Sequence, residues 1–400
     1  MRVIIFVLCV TLAGGFNLSA QILSGNLDTK ITLGLGAGGS PDFFYGAEEY
    51  ANLRLKIPAG NYASIYGAFN LIAAAGTHAQ LLSLAASGIP GVYTTGENYA
   101  ALMELERLYV QFSFDSAGLS AGLLRIPFGF STVWGPMDFL NPRNPLEPDA
   151  RYRGVLGIIA SWFPEKLEDT KFSIFAAAPK DPISECGEGS RGGVSWNSHW
   201  QRMSAELLYC FESPASYELY DPLTSLLVLK DQYPLGLHRL GLSLKAEIEI
   251  GLTAEFLYTI NPDAPSGIEG LSASLGADYS FFNGRLYVQA EYLFSGTQSV
   301  SARSAGFPSG HTGSHYLYTA GIWKWSDFSL LTLGCAANLE DISFTPLVSW
   351  QYEFIQGMVF SVNAYVPLDK SSFNAGARGE LGPENSSSYG YLTMALKIKF

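Results

Sequence analysis

"YGYLTMALKIKF", residues 389–400, alternates strictly up to its final residue. Tyr389, Tyr391, Thr393, Ala395, Lys397 and Lys399 fall on one phase; Leu392, Met394, Leu396, Ile398 and Phe400 fall on the other. Successive side chains of a strand point to opposite faces, so this ending has one apolar face and one wet face. A strand of a soluble sandwich would look the same, and what the apolar face touches has to be read from the rest of the chain.

The pattern recurs almost everywhere. "RLGLSLKAEIEI" (239–250), "LSASLGADYSF" (271–281), "RLYVQAEYLF" (285–294) and "ANLRLKI" (51–57) all place aliphatic and aromatic residues opposite charged and hydroxyl residues. Segments of roughly ten residues with this dyad are the signature of a transmembrane barrel, whereas soluble strands average about five or six residues. Composition agrees. Apolar residues make up 48% of the 400 and charged residues only 15%, against about 25% in ordinary soluble domains. Beyond the amino terminus no apolar run is long enough for a spanning helix, and a closed β-barrel is the other structure that satisfies its backbone in lipid.

The amino terminus, "MRVIIFVLCVTLAGGFNLSA", has a basic Arg2, a short apolar run over 3–13 and small residues Ser19 and Ala20. It reads as an export signal cleaved after Ala20, so residues 1–20 are expected to be leader and 21–400 barrel. The run is too short to span a bilayer comfortably. Cys186, Cys210 and Cys335 follow no zinc or disulfide spacing. Cys335 sits on the apolar phase of its strand and Cys210 on the polar phase. The formal net charge of −12 and the absence of a basic run argue against nucleic acid.

Connection lengths give the strand count. Short links occur at "PAGN" (58–61), "DSAG" (115–118), "FNGR" (282–285) and "WSDF" (325–328). Long links are expected at 76–98, 128–151, 179–200, 296–313 and 368–387. Short and long links alternate from the amino end through an eighth strand near 202–212, and from Phe400 back to a strand at 237–249. The two counts agree if "SYELYDPLTSLLVLKD" (216–231) supplies one more strand. This predicts an all-β, antiparallel up-and-down barrel of 18 strands, with 16 as the alternative. In the fourth strand, "MELERLYVQFSF", the polar phase shifts between Glu106 and Arg107, which predicts a bulge. Trp162, Trp323, Trp325, Trp350 and Tyr352 near strand ends fit an aromatic girdle.

With its export signal, alternating strands and C-terminal Phe400, the chain resembles Gram-negative outer-membrane barrels of the porin type. That resemblance implies an outer-membrane location and contact with outer-membrane lipids, periplasmic chaperones and the barrel-assembly machinery. Phe400, Ile398 and Leu396 match the terminal assembly signal. Oligomers are possible. The stretch "WGPMDFLNPRNP" with the following "DARYRG" resembles the porin loop that folds into the lumen. It nominates Trp134, Asp138, Asn141, Arg143, Asp149, Arg151 and Arg153 as residues that either line a constriction or pin the loop. On the polar phase, Arg54, Lys56, Arg239, Lys245, Glu247, Glu249, Glu255, Arg285, Glu291 and Lys397 are expected to face the lumen. There they would tune what passes or pair across neighbouring strands.

Enzyme chemistry finds little support. His311 and His315 stand four apart in "SGHTGSH", but in a Gly/Ser loop rather than on a helix, and no Ser–His nucleophile pattern is recognisable. No cofactor or metal is expected. The reading is a passive channel for small solutes or ions. A transporter for hydrophobic compounds is one alternative, although only 21–30 precede the alternation where a plug would sit. A surface adhesin or barrel enzyme is another.

Overall fold

The structure, a computed structural model of the full chain, describes residues 22–36, 42–77, 91–96, 98–141, 154–167, 169–179, 189–221, 226–233, 235–262, 267–296, 314–369, 372, 379–382 and 388–400. The signal-peptide expectation lies outside them. Eighteen strands form one antiparallel wall. They are β1 (Ile22–Gly36), β2 (Asp42–Pro58), β3 (Ala63–Gly76), β4 (Tyr99–Ser113), β5 (Ala117–Leu124), β6 (Val155–Trp162), β7 (Thr170–Ala177), β8 (Arg191–Trp200) and β9 (Met203–Glu212). The second half comprises β10 (Leu237–Glu247), β11 (Gly251–Ile260), β12 (Leu271–Phe281), β13 (Leu286–Ser295), β14 (His315–Ser326), β15 (Ser329–Asn338), β16 (Ser343–Ile355), β17 (Met358–Tyr365) and β18 (Ser388–Lys399). Each pairs with its sequence neighbour, and β18 closes on β1 with Leu33 opposite Leu392. Closure leaves the wall without an edge. Phe400 completes the seam: its carbonyl accepts from the Gly25 N–H at 2.8 Å, and its N–H donates to the Gly25 carbonyl at 3.1 Å.

The count of 18 stands, but two of its parts change places. "RGGVSWNSHW" (191–200), expected within a long loop, is wall strand β8, paired with β7 and β9. Its glycines hide the dyad pattern and serve close packing: a Cβ on Gly193 would lie 2.0 Å from the Tyr209 carbonyl oxygen. The segment at 216–231 does not join the wall. Ala215–Asp221 and Leu226–Tyr233 pair only with each other, as a separate hairpin in the β9–β10 connection. A further short strand, Gly91–Thr95, pairs with β4 beside the residues β3 also uses, extending the wall above β5. The bulge in β4 is present. Register against β3 shifts between Ala68 and Phe69, and Leu105 and Arg107 are the residues opposite them.

Alternation sorts every strand into an outward and an inward phase. The outward phase is large and exposed: Leu23, Ile31, Phe43, Leu156, Ile174, Val194, Leu207, Leu240, Leu275, Leu333 and Val348 are examples. Trp162, Trp323, Trp325, Trp350 and Tyr352 are exposed at the short-turn ends, and Phe43, Tyr45, Tyr99 and Tyr209 at the long-loop ends. An apolar band between two aromatic rings is the exterior of a barrel seated in a bilayer. The inward phase is where most polar side chains lie. Much of it is buried on both sides of the barrel, from Glu255 and Glu291 on one to Asn52 and Asn70 on the other, and the exposed inward charges include Arg54 and Lys56.

Candidate functional site

After β5 the chain turns into the barrel and runs along its inner wall, across the strands. The strands it crosses can be followed through its backbone N–H groups. Gly129 donates to Glu206 on β9 at 2.9 Å, and Phe130 to Ser243 on β10 at 3.1 Å. Phe130 also donates to Glu255 on β11, as does Ser131 at 2.5 Å. The Ser131 hydroxyl meets that of Ser274 on β12 at 2.6 Å. Thr132, Val133 and Trp134 donate to Glu291 on β13 at 3.2, 3.1 and 2.8 Å. The Trp134 ring then packs on Tyr316 of β14, with centroids 5.8 Å apart. Strands lie about 4.8 Å apart and an extended chain advances about 3.4 Å per residue. Six residues, 129–134, therefore cross β9 to β13 only if nearly straight. A straight segment running across a sheet forms no ladder of its own, so its N–H groups need acceptors from the wall. Three glutamates on the inward phase supply them.

The loop's apolar side chains complete the contact. Ile126, Phe128, Met137, Phe139 and Leu140 are buried against Phe175, Leu208, Cys210 and Leu257 of the wall. Gly129 has φ +84°, and a Cβ there would lie 2.2 Å from a Glu255 carboxylate oxygen, so this position has room only for glycine. The Asn141 side chain accepts from the Ile126 N–H at 2.8 Å and ties the loop's two ends together. Arg125 pairs with Asp138 at 3.1 Å. Burial nevertheless pushes the Asp138 carboxyl up to about 7, against the pull of Arg125.

The residues nominated from sequence divide into several groups. Trp134 and Asn141 are buried parts of the loop's attachment, and Asp138 pins it through Arg125. Arg143, Asp149, Arg151 and Arg153 lie outside the described residues. Glu255 and Glu291 point inward as expected, but beneath the loop: they are 0% and 3% exposed. Arg239 is also covered, paired with Glu212 and lying 4.9 Å over the Phe139 ring. Lys245 and Glu247 pair at 2.5 Å near the short-turn rim. Glu249 and Arg285 are not on the wall, because β10 ends at Glu247 and β13 begins at Leu286, which places both in turns. Arg54, Lys56 and Lys397 do face the lumen on β2 and β18, with Lys397 paired to Asp28 at 3.4 Å. Leu396, Ile398 and Phe400 lie on the outward face at the seam.

Sequence reasoning missed Glu206, Glu212 and Tyr316. Glu206 and Glu212 stand on the polar phase of "MSAELLYCFE", so their inward direction was legible even though their partners were not. A second inward segment was also missed. Glu380 accepts from the Tyr316 hydroxyl at 2.8 Å and from Asn338, and Leu381 N–H donates to Ser343 at 2.9 Å. The two inward segments thus meet at Tyr316.

The side of the lumen without the loop is built from β15–β18 and β1–β4. Here Arg54 donates to Asn52 at 2.6 Å; Asn52 donates to Asn70 at 2.6 Å and Glu106 at 2.8 Å; Asn70 donates to Glu104 at 3.2 Å. Lys56 lies 5.1 Å over the Tyr66 ring, which stacks on Tyr109 at 4.9 Å. Arg54 and Lys56 are exposed on the inward phase, and among the described residues no carboxylate lies within ion-pair distance of either.

No protein-family model and no curated protein sequence matches the chain. Solved structures do. OccAB1 of Acinetobacter baumannii superposes with a TM-score of 0.52 at 9% identity, over 96% of this chain and 97% of that one. Mutants of the Rhodopseudomonas blastica porin superpose with a TM-score of 0.47 at 11% identity, over 95% of this chain and 100% of theirs. At such identities the likeness to OccAB1 speaks for the fold, an 18-stranded barrel of porin type.

Proposed function

We propose that this barrel is an outer-membrane channel through which small solutes or ions diffuse passively. The observation that carries this reading is the asymmetry of the lumen. The inward loop is held flat against β6–β14 by Glu206, Glu255 and Glu291, while inward Arg54 and Lys56 on the opposite wall stay exposed. A barrel of this strand number is wide enough for water, and a loop bound to one side narrows the passage without filling it. Solute then moves down its gradient with no bond made or broken. No residue is assigned a catalytic role and no cofactor is required.

The loop's apolar side chains are used against the wall, which favours an aqueous path over one for hydrophobic compounds. Outer-membrane lipids meet the apolar exterior. Periplasmic chaperones and the barrel-assembly machinery handle the chain before closure, the latter reading Phe400, Ile398 and Leu396. Because Phe400 also makes two seam hydrogen bonds, its deletion weakens both recognition and closure.

The test is single-channel recording in a planar bilayer, on protein shown to be folded by its altered gel mobility before boiling. Discrete conductance steps that scale with salt are expected. Folded protein that passes no current would overturn the channel.

A further inference from the structure

Two histidines interrupt the apolar exterior. Among the described residues, only His238 and His315 place an imidazole on the outward phase of a strand. Both stand at the long-loop end, where β10 and β14 begin. Each is held in the same way. The Tyr209 hydroxyl meets His238 Nδ1 at 2.9 Å, and the Phe211 and His238 ring centroids are 5.1 Å apart. The Tyr292 hydroxyl meets His315 Nδ1 at 2.6 Å, and the Phe294 and His315 centroids are 5.3 Å apart. A neutral imidazole and a phenol bring two polar hydrogens to such a pair and use one between them. Whichever atom donates, one N–H or O–H is left over, and acyl chains offer no acceptor for it. Among the described residues, the His238 side chain has no other hydrogen-bond partner.

Below His238 the exterior is hollowed. Trp162, Phe172, Trp196, Leu207, Leu242 and Phe256 stand opposite one another in a single row across β6–β11. Val194, Tyr209 and Leu240 belong to the row above it. A groove of about 740 Å³ follows these two rows. Five strand spacings of about 4.8 Å make it about 24 Å long, and a strand tilt of about 40° makes it rise roughly 15 Å. That is half of a hydrocarbon core of about 30 Å, the depth of one leaflet. His238 stands one row higher again, opposite Phe211 and Ile260. The leftover donor of the His238–Tyr209 pair therefore lies at the groove's upper end.

We infer that this groove holds one lipid of the outer leaflet, with an acyl chain along the two rows and its phosphate on the His238–Tyr209 pair. The long-loop end of an outer-membrane barrel is the extracellular one, so the headgroups beside His238 belong to that leaflet. Lipid offers two kinds of acceptor there, ester carbonyls and phosphate oxygens. A bond to the ionised oxygen is roughly twice as strong as one to a neutral acceptor. The chain alone does not select, because neighbouring lipid tails are as apolar as the wall. The groove fixes where the chain lies, and the leftover donor selects the headgroup. The inference needs the barrel in a bilayer but not an open channel, so folded protein that passes no current leaves it standing.

The experiment is native mass measurement of the delipidated protein in detergent, titrated with dioleoylphosphatidic acid. Dioleoylglycerol, with the same chains and esters but no phosphate, and glycerol 3-phosphate, with no chains, are titrated in parallel. Four proteins are compared: the parent, His238→Leu, Val194→Trp in the groove, and His315→Leu as the same chemistry outside it. Each is first shown to be folded by its mobility before boiling. The parent and His315→Leu should hold a tightly bound phosphatidic acid and bind the other two probes far more weakly. His238→Leu should weaken that binding about tenfold, the scale of one hydrogen bond to a charged group. Val194→Trp, which fills the groove, should weaken it at least as much. Binding unchanged in His238→Leu would overturn the inference. So would dioleoylglycerol bound as tightly as phosphatidic acid, or a loss in His315→Leu equal to that in His238→Leu. A parent that takes no lipid and doubles its mass would give the groove to a second copy and overturn it as well.

Discussion

The two halves of the inner wall contain similar residues and treat them differently. On β6–β14, inward Glu255, Glu291 and Arg239 are almost wholly covered. On β1–β4, inward Arg54 and Lys56 are open to the lumen. Strand phase is identical in both halves; the loop is what covers Glu255, Glu291 and Arg239, whereas Asp28, Glu104 and Glu106 on β1 and β4 are buried without it and Arg54 and Lys56 stay open. A carboxylate beneath the loop accepts backbone N–H groups and acts as an anchor. A charge on the bare wall acts on whatever passes, and salt screens it beyond about 8–10 Å.

Removing an anchor should have the largest effect. Glu255→Leu keeps the volume but leaves the N–H groups of Phe130, Ser131 and Met137 without this acceptor. At about 1–3 kcal/mol per orphaned buried group, the loop loses roughly 3 kcal/mol or more of attachment, while the closed wall persists. Single-channel conductance should rise and become noisy. Glu255→Gln, which retains one carbonyl acceptor, should do less. Unchanged conductance in the Leu variant would mean that the loop is held by its apolar contacts alone.

Trp134→Ala comes next. It removes the packing on Leu293 and Tyr316 and the 3.0 Å bond from Nε1 to the Glu291 carbonyl, a local loss of about 3 kcal/mol. Faster proteolysis within 125–141 on intact barrels would register it. Because both inward segments meet at Tyr316, cleavage near 379–382 should rise with it. If only one site becomes sensitive, the two segments are independent.

Charge removal on the bare wall should be smaller and of another kind. Arg54→Gln with Lys56→Gln should move reversal potentials toward cations. A charge at about 4 Å in water is worth about 1 kcal/mol, so each removed charge changes the partition of one ion by about fivefold at most. Arg239→Gln, covered by the loop, should move them much less. Equal shifts from both changes would abolish the distinction between the halves.

The smallest effect is on pH. Asp138 titrates near 7, above the ordinary carboxylate range, because it is buried. The attached loop therefore holds more protons than the free chain between about 4 and 7. Attachment weakens as pH rises through that window, when the buried carboxyl must ionise. Below about 7 the Arg125–Asp138 pair gains one positive charge as Asp138 is neutralised, and selectivity should drift toward anions. Asp138→Asn should remove the drift; a drift that persists in Asp138→Asn would place the titrating group elsewhere.

Strand phase needs only a residue's neighbours in sequence. For that reason the dyad of "YGYLTMALKIKF", the bulge at Glu106–Arg107 and the inward direction of Glu255, Glu291, Arg54 and Lys56 are all legible in the chain itself. Connection parity led to 18 strands, even though it took the hairpin at 215–233 for wall and the Gly-rich β8 for loop. Both regions alternate weakly, and only lateral pairing separates them. The path of 125–141 was beyond the sequence for the same reason. Its bonds run to residues 77 to 159 positions away, so which glutamates are anchors depends on which strands the closed wall brings beneath it. Sequence alone determined which side of the wall each side chain occupies. Tertiary structure decided which inward charges are covered, because cover comes from a loop crossing strands far from it in the chain.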